Sequence, residues 1–316
     1  MITWAMAASP ALADAPDLSL PIDCLLGDTC YIQNYVDRDA TRNSADFTCS
    51  GLTYDGHKGT DIGLPSLAAM HAGVDVLASA NGVVTGTRNT MRDVIYTPET
   101  ASQIDGRECG NGVVIRHDDG WETQYCHMMQ GSITVAKGMR IERGTVLGQV
   151  GLSGLTQFPH VHISVRHNGR IIDPFDTSTR ATCAQNDNVS LWQETPEYIA
   201  GGLLSAGFSQ SIPAYDAIKS GTANAGEFTP LSPAIVFWGF AFGGKTGDQI
   251  QITITGPSGT IIDQTSKITK NRAQFFRAAG KKRPSAGWPV GPYTGTVRHL
   301  RDGVELGQKT TTITLN

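Results

Sequence analysis

A chain of 316 residues is long enough for two domains, and a composition of 40% apolar and 17% charged residues excludes a disordered or fibrous protein. The net charge of −4 argues against nucleic acid as a partner, because neutralising phosphates requires a basic excess, and it is silent about metal chemistry. Six cysteines (Cys24, Cys30, Cys49, Cys109, Cys126, Cys183) without a CxxC pair read as disulfides rather than a zinc knuckle, which implies an oxidising compartment.

Residues 1–13 read as the tail of a signal peptide: Ile2–Ala8 is a short apolar run and Ala11-Leu12-Ala13 a small-residue cleavage site. A basic n-region is missing, so a disordered terminus is the competing reading. Residues 14–49 form an N-terminal segment. No stretch of about 18 apolar residues occurs, so no transmembrane helix is expected.

Residues 50–180 read as an antiparallel β domain. Asn81-Gly82 separates Val74–Ala80 from Val83–Arg88, Asp119-Gly120 separates Gly112–His117 from Trp121–His127, and Asn168-Gly169 follows Val161–Arg166. Such pairs supply the positive φ angles of tight hairpins. Residues 89–111 interrupt this pattern with a long polar segment, the kind of loop that is usually functional or mobile. Cys109 and Cys126 flank the strands of one hairpin and are a candidate pair.

Residues 181–230 read as a linker with a possible short helix around Pro196–Leu204. From 231 to 316 the strand pattern returns. Ile250–Thr255 alternates with period two, Gly256–Gly259 turns the chain, and Tyr293–Leu300 and Thr310–Leu315 flank a turn at Arg301-Asp302-Gly303. Short strands over about 90 residues suggest an immunoglobulin-like β-sandwich, making the whole chain mainly β. Trp288 near Lys281-Lys282-Arg283 could bind glycan or a partner; a spacer with a solvated basic loop is the plainer reading.

Three groups of residues carry chemistry. Val161, Ile163 and Val165 alternate with His160, His162 and Ser164, so the apolar trio can enter the core while both histidines share the other face. Two imidazoles at this spacing can serve one centre as two ligands, or as a ligand and an acid/base; an accidental pair on a polar face gives the same pattern. In His57-Lys58-Gly59-Thr60-Asp61 the glycine argues against a helix, and in an extended segment residues four apart return to one face. His57 and Asp61 are then either metal ligands or a hydrogen-bonded pair near a turn. Thr123, Tyr125 and His127 are expected to share one strand face with Cys126 opposite, and a lone strand histidine is more often structural than catalytic. His71, His117, His167 and His299 read as structural.

Taken together, His57/Asp61, Tyr125-Cys126-His127 and His160-Val161-His162, in that order, resemble the lysostaphin-type (LytM-like) peptidoglycan endopeptidases. Ala80–Val84, Gly110–Ile115, Gly148–Gly154, and Asn168-Gly169 with Asp173-Pro174 agree with it, so the resemblance covers roughly residues 50–175. It implies a LytM-like antiparallel β-sheet peptidase domain with one zinc ion held by His57, Asp61 and His162, and with His127 and His160 as catalytic histidines. The implied activity is hydrolysis of the peptide cross-links of bacterial peptidoglycan by a zinc-activated water, with peptidoglycan peptide stems as the partner, in an exported, periplasmic or secreted enzyme. The alternative is a non-catalytic scaffold that activates other wall hydrolases. Such scaffolds characteristically lose metal ligands, whereas all five positions are present here. Two departures, a longer turn at Ser66–Gly73 and the long segment 89–111, leave the bond cleaved undefined.

Overall fold

A computed structural model describes residues 15–178, 190–224 and 226–316. The signal-peptide reading of residues 1–13 and Cys183 lie outside the described residues. The first half of the chain forms β1 (Tyr31–Asn34), β2 (Thr60–Gly63), α1 (Leu67–His71), β3 (Asp75–Leu77), β4 (Gly82–Arg88), α2 (Ala101–Ile104), β5 (Asn111–Arg116), β6 (Trp121–Met128), β7 (Arg140–Ile141), β8 (Val146–Gln149), β9 (His160–His167) and β10 (Arg170–Ile172). Among the described residues the main sheet runs β1-β2-β9-β6-β5-β4-β7, with β10 also pairing β9 and every pairing antiparallel.

The central strand β9 follows the expected alternation. Val161, Ile163 and Val165 are buried in a core that includes Val113, Ile115, Trp121 and Tyr125. Burying one such aliphatic side chain contributes about 1.5–3 kcal/mol, which locks the strand's register and so fixes His160 and His162 on the opposite face. The turn residues Asp119 and Gly120 have φ of 50° and 80°, as do Asn168 and Gly169, so both hairpins form where expected.

Asn81-Gly82 behaves differently from the expectation. β3 pairs with β8 rather than with β4. Gly82 is not among the positive-φ glycines. A Cβ on it would lie 2.6 Å from the Arg116 carbonyl, so its smallness serves a close strand approach and not a hairpin turn. The two described disulfides are Cys24–Cys30 and the expected Cys109–Cys126, and no described cysteine is free.

The second half forms β11 (Gly202–Ser209), α3 (Tyr215–Ser220), β12 (Ala234–Gly244), β13 (Gln249–Gly256), β14 (Gly259–Lys267), β15 (Arg272–Lys282), β16 (Gly291–Arg301) and β17 (Val304–Leu315). A three-stranded sheet, β11-β12-β15, faces a four-stranded one, β14-β13-β16-β17, around Phe237, Ile252, Ile254 and Val297. This is the expected two-sheet sandwich. The short helix expected around Pro196–Leu204 is absent: residues 196–201 have no regular structure, and the sandwich's first strand begins at Gly202. Seven long-range pairs with β12 override the local pattern of Gly202-Leu203-Leu204. Trp288 is a core residue and not a surface aromatic: it is buried against Tyr293 and donates Nε1–H to the Ser232 carbonyl.

The two halves touch. α1, which occupies the longer turn at Ser66–Gly73, abuts α3 so closely that a Cβ on Gly221 would lie 2.8 Å from Ala68 Cβ. On β1, Tyr31 packs its ring 4.6 Å from that of Phe242 and its hydroxyl oxygen accepts from Gln274 Nε2. No helix among the described residues is long and apolar enough to cross a membrane.

Candidate metal centre

Strands β2 and β9 are neighbours, and their register sets Asp61 opposite His162. The turn before β2 swings His57 back toward Asp61, and Gly59 makes that turn possible. A Cβ on Gly59 would sit 2.5 Å from both His162 Nε2 and the Ile163 carbonyl. One ligand atom from each of His57, Asp61 and His162 lies within 4.8 Å of the others. Asp61 Oδ1 is the hub, 3.1 Å from His57 Nε2, 2.7 Å from His162 Nδ1 and 3.4 Å from His160 Nε2.

His127 reaches this cluster by a route that strand alternation does not predict. Thr123 and Tyr125 do share the core face, where Tyr125 Oη accepts from the Ser79 amide. His127 does not join them. Asn111 pairs with Met128 and Val113 with Tyr125, so Cys126 and His127 together face the single residue Gly112. At this β-bulge His127 adopts φ 61°, in the left-handed region, and its side chain turns to the site face. Its ring centroid is 4.6 Å from that of His160 and 6.0 Å from that of His162. Cys126, expected on the opposite face, pairs with His162 in register and shares that face. The bulge is held by the Cys109–Cys126 bond, by the His127 amide donating to the Cys109 carbonyl, and by the Gly151 amide donating to the His127 carbonyl.

Backbone carbonyls fix three of the four imidazoles. His57 Nδ1 lies 2.7 Å from the Tyr35 carbonyl, His127 Nδ1 2.8 Å from that of Ser153, and His160 Nδ1 2.9 Å from that of Phe158. A carbonyl only accepts, so each Nδ1 carries the proton and each neutral ring keeps a lone pair on Nε2. His162 is turned the other way, with Nε2 2.9 Å from Ser164 Oγ and Nδ1 on Asp61.

The electrostatics suit a cation. Burial pushes the Asp61 carboxyl up, but the surrounding His57 and His160 outweigh it and hold the group well below the usual carboxylate range. Burial, reinforced by the adjacent His160 and His162, pushes His127 well below the usual imidazole range. Burial also lowers His162, against the pull of Asp61. His57 moves upward because Asp61 and the Tyr35 carbonyl together overcome its burial. His57 Nε2, Asp61 Oδ1 and His162 Nδ1 together form a donor set of the kind that holds zinc, once the ring protons facing Asp61 are released to the solvent.

All five residues singled out in the sequence therefore converge. Three others join them without a recognisable signal. Asn34 Nδ2 donates to Asp61 Oδ2 at 2.8 Å, the Tyr54 ring lies 4.5 Å from that of His57, and the Phe158 ring stacks 4.3 Å from that of His160. Contacts across 27 residues, such as Asn34 to Asp61, leave no spacing to read.

Part of the chain is similar in sequence to known proteins. Residues 55–174 match the Peptidase_M23 family model, peptidase family M23. The chain is 33% identical over 120 residues to the DD-carboxypeptidase/endopeptidase Mpg of Neisseria meningitidis serogroup B, covering 37% of this chain and 22% of that protein. It is 32% identical over 117 residues to the peptidoglycan DD-endopeptidase ShyA of Vibrio cholerae, with the same two coverages of 37% and 22%. The chain thus spans about a fifth of the length of these curated relatives. A solved structure of the catalytic domain of a mutant of the prophage-encoded M23 protein EnpA from Enterococcus faecalis is 25% identical, covering 44% of this chain and 88% of its own, with a TM-score of 0.30. The lysostaphin-type resemblance read from the motifs is borne out: residues 55–174 match the model of peptidase family M23.

Proposed function

We propose that this protein is a zinc metalloendopeptidase that hydrolyses peptide cross-links of bacterial peptidoglycan. The observation that carries the proposal is the convergence of His57, His160 and His162 around one Asp61 carboxylate oxygen with His127 beside them, and with the orientation of three rings fixed by backbone carbonyls.

In this reading His57 Nε2, Asp61 Oδ1 and His162 Nδ1 hold one zinc ion, whose bound form supplies Lewis acidity toward the scissile carbonyl and a nucleophilic water near neutral pH. His127 is kept neutral at physiological pH, so its Nε2 can take a proton from the attacking water and return it to the departing amine. His160, whose ring lies 4.6 Å from that of His127, would in its imidazolium form donate Nε2–H to charge developing on the carbonyl oxygen. The hydrogen bonds to Ser153 and Phe158 carbonyls keep both rings aimed while protons move.

The substrate class follows from relatives described as a DD-carboxypeptidase/endopeptidase and a peptidoglycan DD-endopeptidase. Disulfides and a wall substrate support a site of action outside the cytoplasm, in the periplasm or beyond. A non-catalytic scaffold is disfavoured, because no position of the constellation is vacated. Digestion of purified sacculi, followed by mass analysis of the released peptides, tests the proposal. New amine and carboxylate ends within cross-linked stems are expected; intact cross-links after incubation with the zinc-loaded protein would refute it.

A further inference from the structure

The strand that precedes the cluster in sequence holds two of its three proposed ligands. β1 pairs with β2, and its register slips between Ile32 and Asn34: Ile32 faces Ile62 while Asn34 faces Asp61. One extra residue, Gln33, is therefore bulged out of the ladder. Gln33 Nε2 donates instead to the Ala273 carbonyl on β15 of the sandwich. The slip delivers Asn34 to Asp61, where its Nδ2 donates to Oδ2 at 2.8 Å. A carboxylate accepts only, so the amide orientation is fixed by chemistry. The next residue, Tyr35, offers its carbonyl to His57 Nδ1–H at 2.7 Å.

These contacts divide the labour of the Asp61 carboxylate. Oδ2 is engaged by Asn34, and Oδ1 is the atom that faces His57, His160 and His162. Without the amide, the carboxylate can rotate about its terminal torsion, which has a broad profile, and either oxygen can face the cluster.

We infer that Asn34 is a positioning residue for the metal centre, holding Asp61 so that Oδ1 alone is presented to the ion. The inference rests on the reading of His57, Asp61 and His162 as zinc ligands. A partner that orients a ligand in this way typically contributes about 10–100-fold in metal affinity. Asn34 is only partly buried and lies at the end of a four-residue strand, so its replacement removes little packing.

The test uses the full chain with Asn34→Ala and Asn34→Leu, the second keeping the volume without a donor. Zinc affinity is measured by competition with a chromophoric chelator, and the Tm of the metal-free protein is measured alongside. Both variants should bind zinc about 10–100-fold more weakly, with a metal-free Tm within a few degrees of wild type, and saturating zinc should restore turnover. Wild-type zinc affinity in both variants would overturn the inference while leaving the metal site standing. Weaker binding accompanied by a large fall in metal-free Tm would also overturn it, because Asn34 would then be structural. A wild-type chain that binds no zinc would instead remove the metal-site reading, and this inference with it.

Discussion

Substituting Gly59 by alanine probes the cluster without touching a chemical group. The added Cβ would lie 2.5 Å from His162 Nε2 and 2.5 Å from the Ile163 carbonyl, about 1 Å closer than ordinary contact. The carbonyl belongs to the central strand β9, paired on both sides, and cannot retreat cheaply. His162 must therefore turn, breaking its bond to Ser164 Oγ, or the 57–61 segment must lift and carry His57 with it. Overpacking of this kind costs about 1–3 kcal/mol, a loss of roughly 2–4 °C in Tm for each kcal/mol in a domain of this size. Either movement displaces a ligand, so zinc should bind at least about tenfold more weakly, equivalent to about 1.4 kcal/mol. Differential scanning fluorimetry of the metal-free protein and chelator competition measure the two effects. Gly51→Ala, where nothing lies within 4 Å of the new Cβ, is the control and should change neither. If Gly59→Ala kept both the Tm and the zinc affinity of wild type, the close approach of the turn to His162 would be wrong, and with it this derivation of the site.

Removing the Cys109–Cys126 bond by paired serine substitutions should lower kcat about tenfold with zinc content unchanged. The left-handed backbone at His127 costs about 1–2 kcal/mol and persists only while its surroundings enforce it. Assays well below the lowered Tm read this, and unchanged kcat would show that the bulge holds without the staple. In the sandwich, buried His299 lies below the usual imidazole range because of its burial. The unfolded chain therefore binds the extra proton first, and stability should begin to fall as pH drops below about 6.5. Burial pushes Asp248 up, but Arg301 and His299 pull it down to about 2, so a further loss of about 2 kcal/mol is expected as pH falls from about 4 toward 2. Urea unfolding followed by tryptophan fluorescence across this range checks both steps, and Asp248→Asn should shrink the lower one, the remainder belonging to other carboxylates held low such as Asp61.

The parts legible in the sequence were those governed by local periodicity and turn chemistry. β9 announced itself because a strand buried on one face must alternate. Asp119-Gly120, Asn168-Gly169 and Asp302-Gly303 formed turns with paired positive φ because few other residues tolerate it. The rest was set by partners far along the chain. Gly82 looked like a hairpin glycine, yet it is small because β5 lies against it. Gly202–Ser209 lacks a strong strand pattern, and β12 supplies the pairing that makes it a strand. His127 was placed on the wrong face because one unpaired residue in β6 inverts the alternation. That residue is opposite Gly112, where a Cβ would collide with the Tyr125 carbonyl. Its candidate role was still recoverable from the motif order, since the family pattern records an outcome that local geometry does not.

The central claim separates three histidines with similar sequence contexts. Zinc content and peptidoglycan turnover, measured together for His162→Ala, His160→Ala and His127→Ala, test it most directly. His162→Ala should lose zinc and activity together, while His160→Ala and His127→Ala should keep zinc and lose about 10²–10⁴ in rate. Zinc lost from His160→Ala but kept by His162→Ala would reverse the two roles. All three variants retaining both zinc and activity would contradict the account.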